Sequence, residues 1–174
     1  MSYDPPRPLG GEDDLDGFTA RSHEQTVWLR QHARQSAASS LTRVLVVTPR
    51  DGHEVVAYYA WTMAQIDLVD APSRLARGVG RYPQPVALLA RLAVDEGHEG
   101  LGLGAALVRD VVERTAAISE EIGCRALLVH AESEDARSFY LHLIPEFEQS
   151  PTDPLHLVLL LKDIKATLRA LHQA

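Results

Sequence analysis

The stretch Arg91–Asp110 reads RLAVDEGHEGLGLGAALVRD, and it sets the fold of this 174-residue chain. An apolar segment runs into a loop with glycines at alternate positions, Gly100, Gly102 and Gly104, and a helix-periodic segment follows at once. A glycine loop between a strand and a helix turns free backbone N–H groups toward an anion. The pattern therefore predicts an anion site, and a plain strand-to-helix turn is the alternative.

The glycine spacing excludes two common nucleotide-binding motifs. The dinucleotide motif G-x-G-x-x-G is absent, because the third glycine comes one residue early. The phosphate loop G-x-x-x-x-G-K-[ST] is absent, because no lysine follows the last glycine. A loop without that lysine fits a pyrophosphate that is held but not cleaved, and coenzyme A carries such a group.

Hydrophobic periodicity outlines helices and strands on both sides of this stretch. A turn at 49–52 joins the first two predicted strands into an antiparallel hairpin, and 71–85 is predicted as a loop with a short helical turn. Because strands and helices alternate in the second half, we predict a mixed α/β sheet with helices on both sides. Helices are predicted over 23–38, 105–122, 133–143 and 165–173, and strands over 42–48, 54–65, 86–94, 126–131 and 155–164.

Composition predicts one domain and a cytoplasmic location. Residues 1–17 are rich in proline, glycine and aspartate and are expected to form a flexible tail, so the single domain is predicted over 18–174. Cys124 is the one cysteine, which rules out an internal disulfide bond. No apolar run reaches the roughly 20 residues that span a bilayer.

Charge is spread unevenly along the chain. The net charge is −7, yet residues 17–91 carry nine arginines against five acidic residues. Arginine is the better side chain for gripping phosphate. Seven of these arginines are therefore candidate nucleic-acid contacts, with a solvated surface as the alternative, and Arg91 either lies in the site or pairs with a buried acid. The candidates are Arg30, Arg34, Arg43, Arg74, Arg77, Arg81 and Arg91.

Several segments, in order, resemble the GNAT superfamily of acetyl-CoA-dependent N-acetyltransferases. Within it they are most similar to the toxins of bacterial type II toxin–antitoxin pairs. The similarity covers residues 18–161 and implies a mixed, mostly antiparallel sheet flanked by helices, the GNAT-like acyl-CoA N-acyltransferase fold. The segments are WLRQHARQ (28–35), RYPQPVALLARLAVD (81–95), EGLGLGA (99–105), ARSFY (136–140) and SPTDPLHL (150–157).

The resemblance implies a site for acetyl-CoA as co-substrate, with no metal. Main-chain groups of Leu92, Ala93 and Val94 would bind the pantetheine arm, and Tyr140 would be the general acid that protonates the departing CoA thiolate. The pyrophosphate would lie on the loop formed by Glu99, Gly100, Leu101, Gly102, Leu103, Gly104 and Ala105.

The resemblance also implies partners. The acceptor would be the α-amine of an aminoacyl-tRNA, whose acetylation blocks translation. An antitoxin with a ribbon-helix-helix DNA-binding part and a second copy of the chain would be the protein partners. The tRNA contacts would come from Arg30, Arg34, Arg77, Arg81 and Arg91.

Three departures from the family pattern keep other functions open. Glu99 stands where glutamine, arginine or histidine is usual, Leu101 where a polar residue is common, and Ser133 where asparagine or aspartate is usual. One alternative is an enzyme that acetylates a small amine or a protein N-terminus. Another is a non-catalytic module that binds CoA or an antitoxin, which Glu99 and Leu101 favour.

Each residue that could take part in catalysis also has a purely structural interpretation. Read without the family, Tyr140 is a core residue with a hydrogen-bonded hydroxyl, and Cys124 is a small buried apolar residue. His130 and Glu132 share one face of a strand end, where they either relay a proton or cap the strand. An α-amine has a pKa near 8, so a strong base is not required. The eight histidines show no metal-binding spacing.

Overall fold

The computed structural model describes residues 2–173, with side chains through residue 170, so the ends of the predicted tail and domain at 1 and 174 lie outside it. Within that range no helix combines the length and apolar character needed to cross a membrane. The helices are α1 (His23–Gln31), α2 (Ala33–Ala38), α3 (Ser73–Ala76), α4 (Leu103–Ile118), α5 (Glu134–Leu143) and α6 (Leu161–Gln173). The strands are β1 (Arg7–Pro8), β2 (Arg43–Val47), β3 (Ala57–Ile66), β4 (Gln84–Val94), β5 (Ala126–His130), β6 (Glu148–Gln149) and β7 (His156–Leu160).

The strands form one mixed sheet in the order β1-β2-β3-β4-β5-β7-β6. Strands β4 and β5 pair in parallel, with Leu88 opposite Leu128. The pairs β1–β2, β2–β3, β5–β7 and β6–β7 are antiparallel. This arrangement confirms the predicted fold class, a mostly antiparallel sheet flanked by helices.

Residue contacts divide the chain into two compact units, each with its own apolar core. The first unit comprises Met1–Thr62 and Ala90–Asp110, and the second Met63–Leu89 and Val111–Ala174. The first core includes Leu15, Phe18, Leu29, Val44, Val46, Tyr58 and Ala93. The second includes Ile66, Leu75, Val86, Ala126, Leu128, Val158 and Leu160.

The predicted helix over 23–38 is two helices rather than one. Ser22 caps α1 as its side chain accepts a hydrogen bond from the Gln25 amide. At His32 the backbone leaves helical geometry, with φ −122° and ψ −21°, and α2 starts at the next residue. Arg30 and Arg34 therefore belong to different helices and do not share one helical face.

Other element boundaries shift where side chains compete with the backbone. Helix α4 starts at Leu103 and ends at Ile118, before the predicted stop at Gly123. The Ser119 hydroxyl donates to the Ala116 carbonyl at 2.6 Å, and such local bonds favour helix ends. The predicted strand over 155–164 stops at Leu160, where α6 begins directly. The two-residue strands β1 and β6 were not predicted, since they carry no periodic signal.

Residues 2–17 are held in place rather than forming the expected flexible tail. Strand β1 pairs with β2, and the Asp4 amide donates to the Thr48 carbonyl at 3.0 Å. Leu15 and Phe18 are buried in the first core. This segment has few apolar residues, but backbone pairing and two apolar anchors suffice to order it.

A buried carboxylate ties this N-terminal segment together. The Asp13 side chain is 3% exposed and accepts two hydrogen bonds from the Arg7 guanidinium, at 2.9 and 2.7 Å. It also accepts one from the Gly10 amide at 2.7 Å. The Arg7 and Gly10 bonds hold the pKa of Asp13 below its usual value. This contribution to stability is present at neutral pH and is lost as the pH falls through that lowered pKa.

We predict that Asp13→Ala lowers the free energy of unfolding by about 2 kcal/mol, because it leaves three N–H donors, two of Arg7 and one of Gly10, without their acceptor. Urea unfolding at pH 7 measures the effect. Replacement of the exposed Asp16 by alanine is the matched control and should change stability by less than about 0.5 kcal/mol. Equal effects of the two variants would contradict this role of Asp13.

Candidate functional site

The glycine loop lies in the first unit, between the end of β4 and the start of α4. Gly100 and Gly102 have φ angles of +74° and +83°. A Cβ atom built at either glycine would meet no atom within 4 Å. Glycine is therefore required here by backbone conformation and not by lack of space, and the surroundings of both residues are open.

Free amides follow the loop. The first hydrogen bond of α4 runs from the Ala106 amide to the Gly102 carbonyl at 3.0 Å. The amides of Leu103, Gly104 and Ala105 precede it, so they have no carbonyl partner within the helix. No acidic residue lies in the first turn of α4. This geometry suits an anion.

Asp95 holds the start of the loop in position. One oxygen of its carboxylate accepts from the Thr19 amide at 2.8 Å, and the other accepts from the Gly97 amide at 2.9 Å. The Glu96 amide also donates to the Thr19 carbonyl at 2.8 Å. Asp95 and Thr19 were not predicted as anchors. The D-x-G spacing of Asp95 and Gly97 was the available signal for a local turn.

Glu99 does not bring an uncompensated negative charge to the loop. Both Nε and Nη2 of Arg21 reach Glu99 Oε2, at 2.9 and 2.8 Å. The two residues are 78 positions apart in the chain. No local sequence signal could have paired them, and Arg21 was absent from the candidate residues.

The predicted pantetheine-binding residues form the end of β4. Ala93 is buried in the first core, and Leu92 and Val94 are half-buried on either side of it. Leu101 is exposed, whereas Leu103 is buried and anchors the start of α4. The loop thus combines an open outer side with a firmly packed base.

Tyr140 lies on α5 in the second unit, in apolar surroundings. Its ring packs edge-on against Phe139 and Phe147, with centroids 5.3 and 6.1 Å away. The side chain is buried, and within the described part of the chain its hydroxyl has no hydrogen-bond partner. This hydroxyl therefore differs from that of a core tyrosine bonded to a neighbouring group, because it is unsatisfied within the described residues.

Burial and charge keep the Tyr140 phenol protonated. Burial raises the pKa of Tyr140 well above its usual value, and the nearby Glu132 carboxylate raises it further. Ser133 positions the helix, since its hydroxyl accepts from the Ala136 amide at 3.2 Å. Its replacement of the usual asparagine or aspartate keeps the helix cap.

Three candidate arginines of the first unit make intramolecular hydrogen bonds or an ion pair. Arg30 donates to the Thr19 hydroxyl at 2.9 Å, and Arg34 donates to the carbonyls of Gly10 and Asp13. Arg91 pairs with the exposed Glu24 at 3.2 Å and lies 5.0 Å from the ring centre of Trp28. The predicted buried acid beside Arg91 is thus an exposed one.

The candidate arginines of the second unit divide into two kinds. Arg74 binds Asp163 through two hydrogen bonds, at 2.9 and 3.1 Å, which gives it a structural role. Arg77 and Arg81 are exposed in the loop between α3 and β4, next to the exposed Tyr82. Neither arginine has an ion pair within the described residues, so both remain available to a partner.

Two histidines stack at the end of β5. The rings of His130 and His156 lie 3.9 Å apart between centroids, and His156 is 3.4 Å from Asp153. Partial burial and the neighbouring His156 lower the pKa of His130, while Asp153 acts in the opposite direction. Cys124 is buried, as expected, and burial raises the pKa of its thiol. No group of three or more metal-binding side chains occurs among residues 2–170.

Comparisons with known proteins agree with these features. The model of the Acetyltransferase (GNAT) family matches residues 12–143. The tRNA-acetylating toxin of Mycobacterium tuberculosis (strain ATCC 25618 / H37Rv) is 42% identical over 166 residues, which cover 95% of this chain and 97% of that protein.

Two solved structures share the fold. AtaT complexed with acetyl-methionyl-tRNAfMet has a TM-score of 0.87 at 21% identity, covering 96% of this chain and 99% of that one. A tyrosine-to-phenylalanine variant of AtaT, bound to the C-terminus of the antitoxin AtaR and acetyl-CoA, has a TM-score of 0.79 at 21% identity. That match covers 96% of this chain and 98% of the other.

We predict that His130 makes the protein less stable in mild acid. An unfolded histidine takes up a proton near pH 6.5, whereas folded His130 resists protonation, so its contribution is complete above that pH and declines below it. Urea unfolding at pH 7.5 and 5.5 should show that the free energy of unfolding falls less with acidification in His130→Gln than in the wild type. The exposed His53→Gln is the control, and an identical loss in all three proteins would contradict the prediction.

Proposed function

Since this chain belongs to the acetyltransferase (GNAT) family, we propose that it transfers the acetyl group of acetyl-CoA to the α-amine of an aminoacyl-tRNA and thereby blocks translation. The observation that carries the proposal is the 42% identity to a tRNA-acetylating toxin along 95% of the chain. The structure of AtaT with an acetylated aminoacyl-tRNA supports the same acceptor.

The glycine loop would hold the CoA pyrophosphate. Support comes from the positive φ angles of Gly100 and Gly102, the open space around them and the free amides of Leu103, Gly104 and Ala105. The main chain of residues 92–94 would bind the pantetheine arm, as the family resemblance implies. The Arg21 guanidinium lies 2.8 Å from the Glu99 carboxylate, so its positive charge offsets that of Glu99 next to the proposed pyrophosphate position.

The reaction needs a proton donor for the CoA sulfur, but it does not need a strong base to deprotonate the amine. The amine nitrogen attacks the thioester carbonyl, the C–N bond forms, and the C–S bond breaks with its electron pair leaving on CoA sulfur. An α-amine has a pKa near 8, so its ammonium form can lose a proton to water before the neutral nitrogen attacks. Tyr140 would donate its proton to the thiolate and regain one from solvent.

The environment of Tyr140 supports this role. Its raised pKa keeps the phenol in the donating form at neutral pH. A thiol has a pKa near 8.5, so complete transfer from such a weak acid is uphill. The hydrogen bond to the thiolate as it develops would therefore supply much of the stabilisation.

The proposal includes protein partners and a location. An antitoxin with a ribbon-helix-helix DNA-binding part is the expected inhibitor, supported by the AtaT complex with the C-terminus of AtaR. A second copy of the chain would complete a homodimer, as expected from the family resemblance. The cytoplasm is the expected location, because aminoacyl-tRNA and acetyl-CoA occur together there.

We predict that Tyr140→Phe lowers kcat by about 100-fold or more while acetyl-CoA binding is retained, because only the proton donor is removed. Cell-free translation with and without acetyl-CoA tests the function, and calorimetry tests binding. The exposed Tyr82→Phe is the matched control and should inhibit translation like the wild type.

The outcomes separate the proposed function from its alternatives. Inhibition that needs both acetyl-CoA and the Tyr140 hydroxyl supports the tRNA proposal. Undisturbed translation together with acetylation of free amines would replace it with a small-amine enzyme. A folded protein that does not bind acetyl-CoA would leave only a protein-binding role.

We predict that Arg77→Gln combined with Arg81→Gln weakens tRNA binding, because both guanidinium groups are exposed and unpaired within the described residues. Each arginine removed from a phosphate contact should lower the slope of log Kd against log salt by about 1. Filter binding across a salt series measures the slope, and Arg50→Gln serves as the control. A slope equal to that of the wild type would exclude both arginines from the tRNA contact.

A further inference from the structure

A cationic hollow borders the start of α1 in the first unit. It is an open space of about 330 Å³ lined by residues between Thr19 and Gln31. Its polar wall includes Arg21, His23 and Arg30, and no acidic residue is among the residues that line it. The lining therefore carries two arginine charges, and the carboxylate that contacts Arg21, that of Glu99, lies outside it.

Arg30 is held in the hollow by a neutral partner. Its Nη2 donates to the Thr19 hydroxyl at 2.9 Å, and the structure describes no carboxylate partner for it within residues 2–170. A guanidinium has five N–H donors in a fixed plane. Most of these donors therefore remain available to an anion that enters the hollow.

Arg21 is held by an exposed ion pair that an anion can replace. The Arg21 side chain is 80% exposed, and both of its bonding nitrogens use the same oxygen of Glu99. Exposed ion pairs of this kind are weak. A phosphate group accepts two parallel N–H bonds from one guanidinium, so it competes well with such a carboxylate contact.

The positive charge belongs to the side chains and not to the helix end. Ser22 already caps α1 by accepting the Gln25 amide at 3.2 Å. Glu24 next to the hollow is engaged by Arg91 at 3.2 Å, so it does not neutralise Arg21 or Arg30.

Resting on the proposed function, we propose that this hollow binds a phosphate group of one of the two substrates. Arg21 would exchange Glu99 for phosphate oxygens while Arg30 remains on Thr19. Because Glu99 opens the glycine loop, Arg21 connects the hollow to the loop through one side chain. Acetyl-CoA and tRNA both carry phosphate esters, and separate binding measurements distinguish these two sources.

The first test is the double variant Arg21→Gln, Arg30→Gln, with Arg50→Gln as the matched control. Kd is measured by calorimetry for CoA and for dephospho-CoA, which lacks the 3′-phosphate, and by filter binding for tRNA. We expect a loss of about 10-fold or more for one ligand, since charge-assisted bonds are removed. Arg21→Lys with Arg30→Lys should recover part of the loss.

The three ligands identify the phosphate. A loss for CoA but not for dephospho-CoA assigns the hollow to the 3′-phosphate, and an equal loss for both assigns it to the pyrophosphate. A loss for tRNA with a smaller salt slope assigns it to the RNA backbone. Unchanged Kd values for all three ligands, in a variant with wild-type urea stability, would overturn the proposal.

A second test uses a variant that is expected to bind phosphate more tightly, so a positive result cannot come from disruption of the fold. Glu99→Gln releases Arg21, and phosphate binding should become several-fold tighter. The same change in an Arg21→Gln background should give a much smaller gain, because the released side chain is absent. An equal gain in both backgrounds would show that Arg21 takes no part and would overturn the exchange.

These measurements also separate the hollow from the proposed function. Wild-type protein that binds CoA and tRNA but transfers no acetyl group would overturn the proposed function alone, and the variants would still decide the hollow by affinity. Wild-type protein that binds neither ligand would overturn both.

Discussion

The carboxylate of Asp95 is the contact on which the candidate anion site depends. It joins the end of β4 to the Thr19 amide and to the Gly97 amide, at 2.8 and 2.9 Å. Thr19 in turn holds Arg30 through its hydroxyl and lies just before α1. The helix itself begins after its N-cap, Ser22. One short side chain thus sets the entry to the glycine loop and the start of the neighbouring helix.

The two units supply opposite kinds of electrostatic environment. The first unit offers exposed amides and arginines around an open loop, which suits a hydrated anion that must be held. The second unit surrounds the Tyr140 phenol with Phe139 and Phe147, which disfavours its ionised form. The proposed anion site and the proposed proton donor therefore belong to separate parts of the sequence, each with its own core.

Much of the fold was predictable because its signals are local. The hairpin over β2 and β3 follows from a β-branched run and a second, mostly apolar run around the Pro49–Gly52 turn, which the structure closes with a 2.9 Å hydrogen bond. The fold class was also predicted correctly. The break at His32 and the order of the N-terminal segment were not, because both depend on contacts with distant residues, such as the bond between Arg34 and the Gly10 carbonyl.

The sequence by itself determined the main helices and strands and the glycine loop, because spacing and residue type act within a few positions, and its resemblance to the GNAT family named Tyr140 as a candidate. Only the tertiary structure decided which charge lies beside Glu99 in the loop and whether the Tyr140 hydroxyl has a hydrogen-bond partner. Arg21 meets Glu99 across 78 positions, and Tyr140 loses water through packing by Phe147. Electrostatics and burial depend on distance in space, and a linear pattern does not encode that distance.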